Sequence, residues 1–124
     1  MNIRTIFTFL VGLAIIVAAA TWCYCAHSAA TSPTIRMKVT AYCPCKKCCG
    51  KWADGITASG AKAQGKLIAA PKEIPFGTWI NVPGYGWAEV KDRGGSIKRN
   101  RLDVFFESHQ EALEWGVKYL EIEQ

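Results

Sequence analysis

The sequence predicts a mostly β fold, a small closed six-stranded barrel with one short helix, and three observations carry that expectation. Short apolar or alternating segments recur from Ile35 to Glu123. Turns rich in glycine and proline separate them, the pattern of short strands in a sandwich or barrel. A single helix-start signature is present, late in the chain. Closure is favoured because 50 % of the residues are hydrophobic, and open sheet edges on such a chain invite association.

The first residues read as a leader rather than as part of the barrel. Arg4 precedes the apolar stretch Ile6–Ala20, and Ala18-Ala19-Ala20 and Ala26-His27-Ser28-Ala29-Ala30 supply small residues suited to cleavage. Residues 1–30 are therefore expected to form a signal helix. Membrane attachment through residues 5–26 is the alternative, since the apolar run approaches the length that spans a bilayer. A lipoprotein site is not expected, because bulky Trp22 and Tyr24 precede Cys23 and Cys25. Export places the domain in the periplasm, outer membrane or cell wall, or in the medium. A linker is assigned to residues 31–36 and the domain to residues 37–124.

Within the domain, Ile35–Tyr42 alternates, with Ile35, Met37, Val39 and Ala41 on one face and Lys38, Thr40 and Tyr42 on the other. Leu67–Ala70 is a short apolar strand closed by Pro71. The turn Ile74-Pro75-Phe76-Gly77 leads into a strand over Thr78–Val82. Pro83-Gly84-Tyr85-Gly86 reverses the chain so that Trp87–Lys91 pairs back. Leu102–Phe106 reads as a buried strand. Ser108 and Glu111 form a capping box that starts a helix through Trp115, stopped at Gly116, and Val117–Glu123 is the last strand. Of Trp52, Trp79, Trp87 and Trp115, at least two are expected in the core and the others are candidates for stacking contacts.

Cys43, Cys45, Cys48 and Cys49 fall within seven residues. In an exported chain they are expected to form disulfides, with Cys48 and Cys49 reaching back to Cys43 or Cys45. A zinc or other metal site on the same thiols is the alternative, and free thiols are the third possibility. Either way the cluster reads as a staple. No catalytic metal and no cofactor are expected. His109, inside the capping box, reads as a helix-start residue.

Lys and Arg number 15 against 10 Asp and Glu, a net charge of +5 that suits an anionic partner. No stacking-aromatic RNA motif, helix-turn-helix pattern or zinc-finger spacing accompanies it, which excludes nucleic acid as the expected partner. The chain is expected to be a monomer. Its most informative stretch is Lys91–Phe106, where Asp92 and Asp103 bracket a Gly-Gly turn and a cationic run. A carboxylate opening an apolar strand is costly unless it is paired, neutralised or used.

Several phrases occur in order: Thr40-Ala41-Tyr42, Asp54-Gly55, Thr57-Ala58-Ser59-Gly60, Ile74-Pro75-Phe76-Gly77-Thr78, Val82-Pro83-Gly84-Tyr85-Gly86, Asp92-Arg93-Gly94-Gly95-Ser96-Ile97-Lys98, Leu102-Asp103-Val104-Phe105-Phe106, Glu111-Ala112 and Trp115-Gly116-Val117. Together they are similar to those of the 3D domain, a bacterial cell-wall module named for three aspartates. The resemblance implies a double-psi β-barrel related to membrane-bound lytic transglycosylase A and to expansin-like domains. It assigns the catalytic acid to Asp103 and a supporting carboxylate to Asp92. The sequence departs from the family pattern at Ala70, where the third aspartate is usual, and at Arg99, where a small residue is usual. No counterpart of the transglycosylase's second domain is expected among these residues.

The expected function is therefore cleavage of glycosidic bonds in peptidoglycan, by lytic transglycosylation, during wall turnover. The alternative is a non-catalytic, expansin-like polysaccharide-binding module. Thr40, Tyr42, Thr57 and Lys98 are the expected substrate-binding residues, with Arg93, Lys98, Arg99 and Arg101 facing the carboxylates of the wall. Burial and the charge of Asp92 are expected to raise the pKa of Asp103.

Overall fold

The computed structural model describes residues 32–123, so the leader reading, with Cys23 and Cys25, lies outside the described residues. The elements run β1 (Thr34–Tyr42), α1 (Lys46–Cys49) with a 3-10 turn at Gly50–Trp52, β2 (Leu67–Ala69), β3 (Trp79–Val82), β4 (Gly86–Asp92), β5 (Arg101–Phe105), α2 (His109–Trp115) and β6 (Lys118–Glu123). All six expected strands are present, within a residue or two of their expected ends. Thr34–Arg36, in part read as linker, instead pair with Glu121–Glu123 and belong to β1.

The sheet order is β3-β4-β2-β5-β1-β6. Pairing along it runs antiparallel, parallel, antiparallel, parallel, antiparallel, and so reads the same from either end. The end strands β3 and β6 pack beside one another, which nearly closes the sheet into a barrel. Two parallel pairs joined across a central antiparallel pair (β2 with β5) agree with the expected double-psi arrangement.

Alternation decides which residues fill the interior. Val39, Ile68, Val90, Leu102 and Val104 are fully buried in one cluster, and each contributes roughly 1.5–3 kcal/mol by leaving water. Tyr85, Phe106 and Trp115 meet edge-on or tilted at ring separations of 5.3–6.0 Å and extend the core to α2. Of the four tryptophans weighed for the core, only Trp115 is buried, whereas Trp52, Trp79 and Trp87 are exposed. The expectation of two was too high because aliphatic side chains, Tyr85 and Phe106 already fill the core.

The capping box forms as expected: Ser108 Oγ accepts from Glu111 N, and the Glu111 carboxylate accepts from Ser108 N. A second helix, α1, was not expected. It is a single turn in which the amides of Cys48 and Cys49 both donate to the Cys45 carbonyl, and four residues carry no helical period to read.

Candidate functional site

Strand register sets the site. Ala69 of β2 lies opposite Asp92 of β4 on one side and Asp103 of β5 on the other, and Asp103 lies opposite Thr40 of β1. Four neighbouring strands thus place Asp92, Ala69, Asp103 and Thr40 in one row. The carboxylate-bearing strands stand two spacings apart, roughly 9–10 Å. Because side chains alternate, Val39, Ile68 and Val104 point into the core, while Tyr42, Ala69, Asp103 and Phe105 line a cleft of about 580 Å³. Ala69 is small enough to leave the floor between the two carboxylates open.

The rest of the cleft comes from the long connection between β1 and β2 and from the loop after β4. Pro44, Cys48, Cys49, Trp52 and residues 54–58 form one wall, and residues 93–97 another. Asp92 fastens the first of these walls to the sheet. Its Oδ1 accepts from Ala58 N at 2.9 Å and from Arg93 N at 2.8 Å, and its Oδ2 accepts from the Tyr42 hydroxyl at 2.6 Å. Burial and the bond to Asp92 push the Tyr42 phenol up, so it remains a donor. Gly94 is required by close approach, since a Cβ there would lie 2.7 Å from Ile97 Cγ1.

Asp103 is held more loosely. Thr40 Oγ1 donates to its Oδ1 at 2.9 Å. Burial is the main influence and raises its pKa to about 6; Thr40 and the Arg101 charge oppose the rise, and the Asp92 charge adds to it. A carboxyl raised to about 6 and facing a cleft can give a proton and take it back.

The cations are not arranged as the sequence suggested. Arg93 spends its guanidinium on the carbonyls of Ala70 at 3.1 Å and Ile74 at 2.7 Å, and stacks on Phe76 at 4.0 Å. It bolts β4 to the segment after β2 and does not offer its charge to the cleft. Lys98 and Arg99 are exposed on the loop and lie outside the cleft lining. Thr57 borders the cleft but is buried, with its hydroxyl bonded to the Ala61 carbonyl and to Ser59 Oγ, both at 3.0 Å. Of the expected binding residues, Thr40 and Tyr42 therefore meet the aspartates directly, whereas Thr57 and Lys98 do not. Ala70, at the usual third-aspartate position, points into the hydrophobic core.

The four cysteines are free thiols, where disulfides were expected. Cys43, Cys45 and Cys48 gather around His109 Nδ1, and Cys49 stands apart, its thiol donating to the Cys43 carbonyl at 3.2 Å. His109 carries no local sign of belonging to this group, because it lies more than 60 positions downstream. Glu89 pairs with Lys91 at 2.9 Å, and Glu107 accepts from Gly65 N.

The 3D domain model matches residues 66–123, the span from the segment before β2 to the end of β6, including both aspartates of the row. Residues 66–123 form a 3D domain. Similarity extends beyond that span. A Bacillus subtilis (strain 168) protein named "Putative cell wall shaping protein YabE" is 37 % identical over 94 residues, 74 % of this chain and 23 % of its own length. The "Cell wall-binding protein YocH" of the same organism is 42 % identical over 73 residues, 55 % of this chain and 25 % of its own. Its "SPbeta prophage-derived uncharacterized protein YorM" is 36 % identical over 89 residues, 67 % of this chain and 37 % of its own. The chain spans between about a quarter and somewhat over a third of the length of these relatives.

Proposed function

We propose that this 3D domain is an exported enzyme that cleaves the glycan strands of peptidoglycan by lytic transglycosylation, with Asp103 as the acid and then the base. The supporting observation is Asp103 itself, raised to about 6 by burial on the floor of an open cleft. The names of YabE and YocH, which refer to cell wall shaping and binding, support the wall as the substrate.

The chemistry needs only one titrating group. Protonated Asp103 gives its proton to the glycosidic oxygen as the C1–O bond breaks and an oxocarbenium-like centre develops. The C6 hydroxyl of the same N-acetylmuramic acid attacks C1, and the Asp103 carboxylate takes the hydroxyl proton. The product ends in a 1,6-anhydro ring, no water is consumed, and the acid is regenerated. Asp92 holds the cleft wall and adds negative potential beside the developing positive charge.

A second reading, an expansin-like binding module, is favoured by one observation: Ala70 buries a methyl group in the core where the family usually has a third carboxylate. Mass spectrometry of the soluble products from peptidoglycan incubated with the chain separates the two. Anhydro-terminated fragments are expected. Reducing ends would mean hydrolysis, and wall that pellets with the protein but releases nothing would leave the binding module as the function.

A further inference from the structure

The group formed by three thiols and an imidazole lies outside the carboxylate row, and cleavage makes no use of it. His109 Nδ1 is 3.5 Å from the sulfur of Cys43, of Cys45 and of Cys48. Around a tetrahedral zinc ion, with Zn–S of about 2.3 Å and Zn–N of about 2.0–2.1 Å, nitrogen–sulfur edges come to about 3.5 Å and sulfur–sulfur edges to about 3.8 Å. All three nitrogen–sulfur distances match. The Cys43–Cys48 separation of 3.6 Å is close to the second value, and the Cys43–Cys45 separation of 3.0 Å needs to open by less than an ångström.

We propose that Cys43, Cys45, Cys48 and His109 bind one zinc ion in a closed structural site that clamps the β1–β2 connection to the start of α2. Four protein ligands leave no open coordination position, so the ion is a fastener rather than a catalyst. Binding replaces three thiol protons, which pass to solvent, and uses the imidazole nitrogen in its neutral form. Three soft thiolates with one imidazole favour zinc over magnesium or calcium.

The backbone is arranged to bring these ligands together. Cys45 is the N-cap of α1, and Cys48 lies three residues on, with its amide bonded to the Cys45 carbonyl, so both thiols leave the same side of the turn. His109 opens α2, whose start is fixed by the Ser108–Glu111 box. Cys49 is not a ligand, because it stands apart from the group and its thiol bonds the Cys43 carbonyl. The clamp has a clear purpose. The β1–β2 connection runs from Cys43 to Lys66 with little core of its own, yet it supplies the cleft wall formed by Pro44, Cys48 and Trp52.

The test is elemental analysis of the full chain purified without chelator, together with a thiol count by alkylation and mass spectrometry. One zinc per chain is expected, with all four thiols reduced. Cobalt(II) in its place should give thiolate charge-transfer bands and the visible bands of a tetrahedral ion, a readout that needs no variant. His109→Ala should weaken metal binding by more than the roughly 10–100-fold typical of losing an outer partner, whereas Cys49→Ser should leave one equivalent. A metal-free chain with free thiols would overturn the proposal. So would a disulfide among Cys43, Cys45 and Cys48, or loss of the metal in Cys49→Ser but not in His109→Ala. None of these outcomes depends on whether the chain cleaves peptidoglycan.

Discussion

At Asp103, burial raises the carboxyl to about 6 while the Thr40 hydroxyl and the Arg101 charge pull it down. Removing the hydroxyl should therefore move the group further in the direction burial has set. In Thr40→Val the loss of one hydrogen bond, about 0.5–1.5 kcal/mol, should shift the alkaline limb of the pH–rate profile upward by up to about one pH unit. A shift to lower pH would show that Thr40 is not the opposing group. Arg99 is the second residue to test. It has φ of 56°, a left-handed conformation that costs a residue with a Cβ roughly 1–2 kcal/mol. The family's small residue at this position thus has a backbone reason. Arg99→Gly should raise the stability of the domain by roughly 0.5 kcal/mol after the entropy cost of glycine, measured by denaturant unfolding. A loss of stability would mean that the Arg99 side chain makes a contribution larger than its strain.

Among the elements, α2 joins the two halves of the account: Trp115 packs into the core and His109 faces the thiols. Ser108→Ala removes one of the bonds of the capping box and should cost about 0.5–2 kcal/mol, seen as a lower denaturation midpoint. An unchanged midpoint would mean that packing of Trp115 alone holds the helix. The six strands and this helix were legible in the sequence because each has a short, regular signal: alternation in β1, an apolar run in β5, a box and a glycine around α2. What was not legible depends on partners distant in sequence. The bond between Tyr42 and Asp92 crosses 50 positions, and the gathering of His109 with the thiols crosses more than 60. Arg93 was misread for the same reason. Its position in a cationic run suggests an exposed clamp, but carbonyls of Ala70 and Ile74, about 20 residues upstream, occupy it.

For the whole molecule, a raised carboxyl is a cost in stability that function must repay. The Asp103 pKa is about 6 when folded and about 3.9 when unfolded, so the native state binds more protons between those values. Stability therefore falls as the pH rises from about 4 to 6 and levels off above, for a total of up to about 3 kcal/mol. Asp103→Asn removes this titration, so the variant should gain stability relative to the native chain across that window and keep the gain at pH 7. A difference independent of pH would argue against the raised pKa. The barrel itself follows from alternation and pairing, whereas the row of Asp92, Ala69, Asp103 and Thr40 follows from a register across four strands that the sequence does not spell out. That row carries the functional proposal, and Asp103 is its centre. The most direct measurement is the rate at which Asp103→Asn releases anhydro-terminated fragments from peptidoglycan, compared with the native chain. The proposal predicts a loss of about 10²–10⁴-fold in a variant that remains folded; an undiminished rate would contradict it.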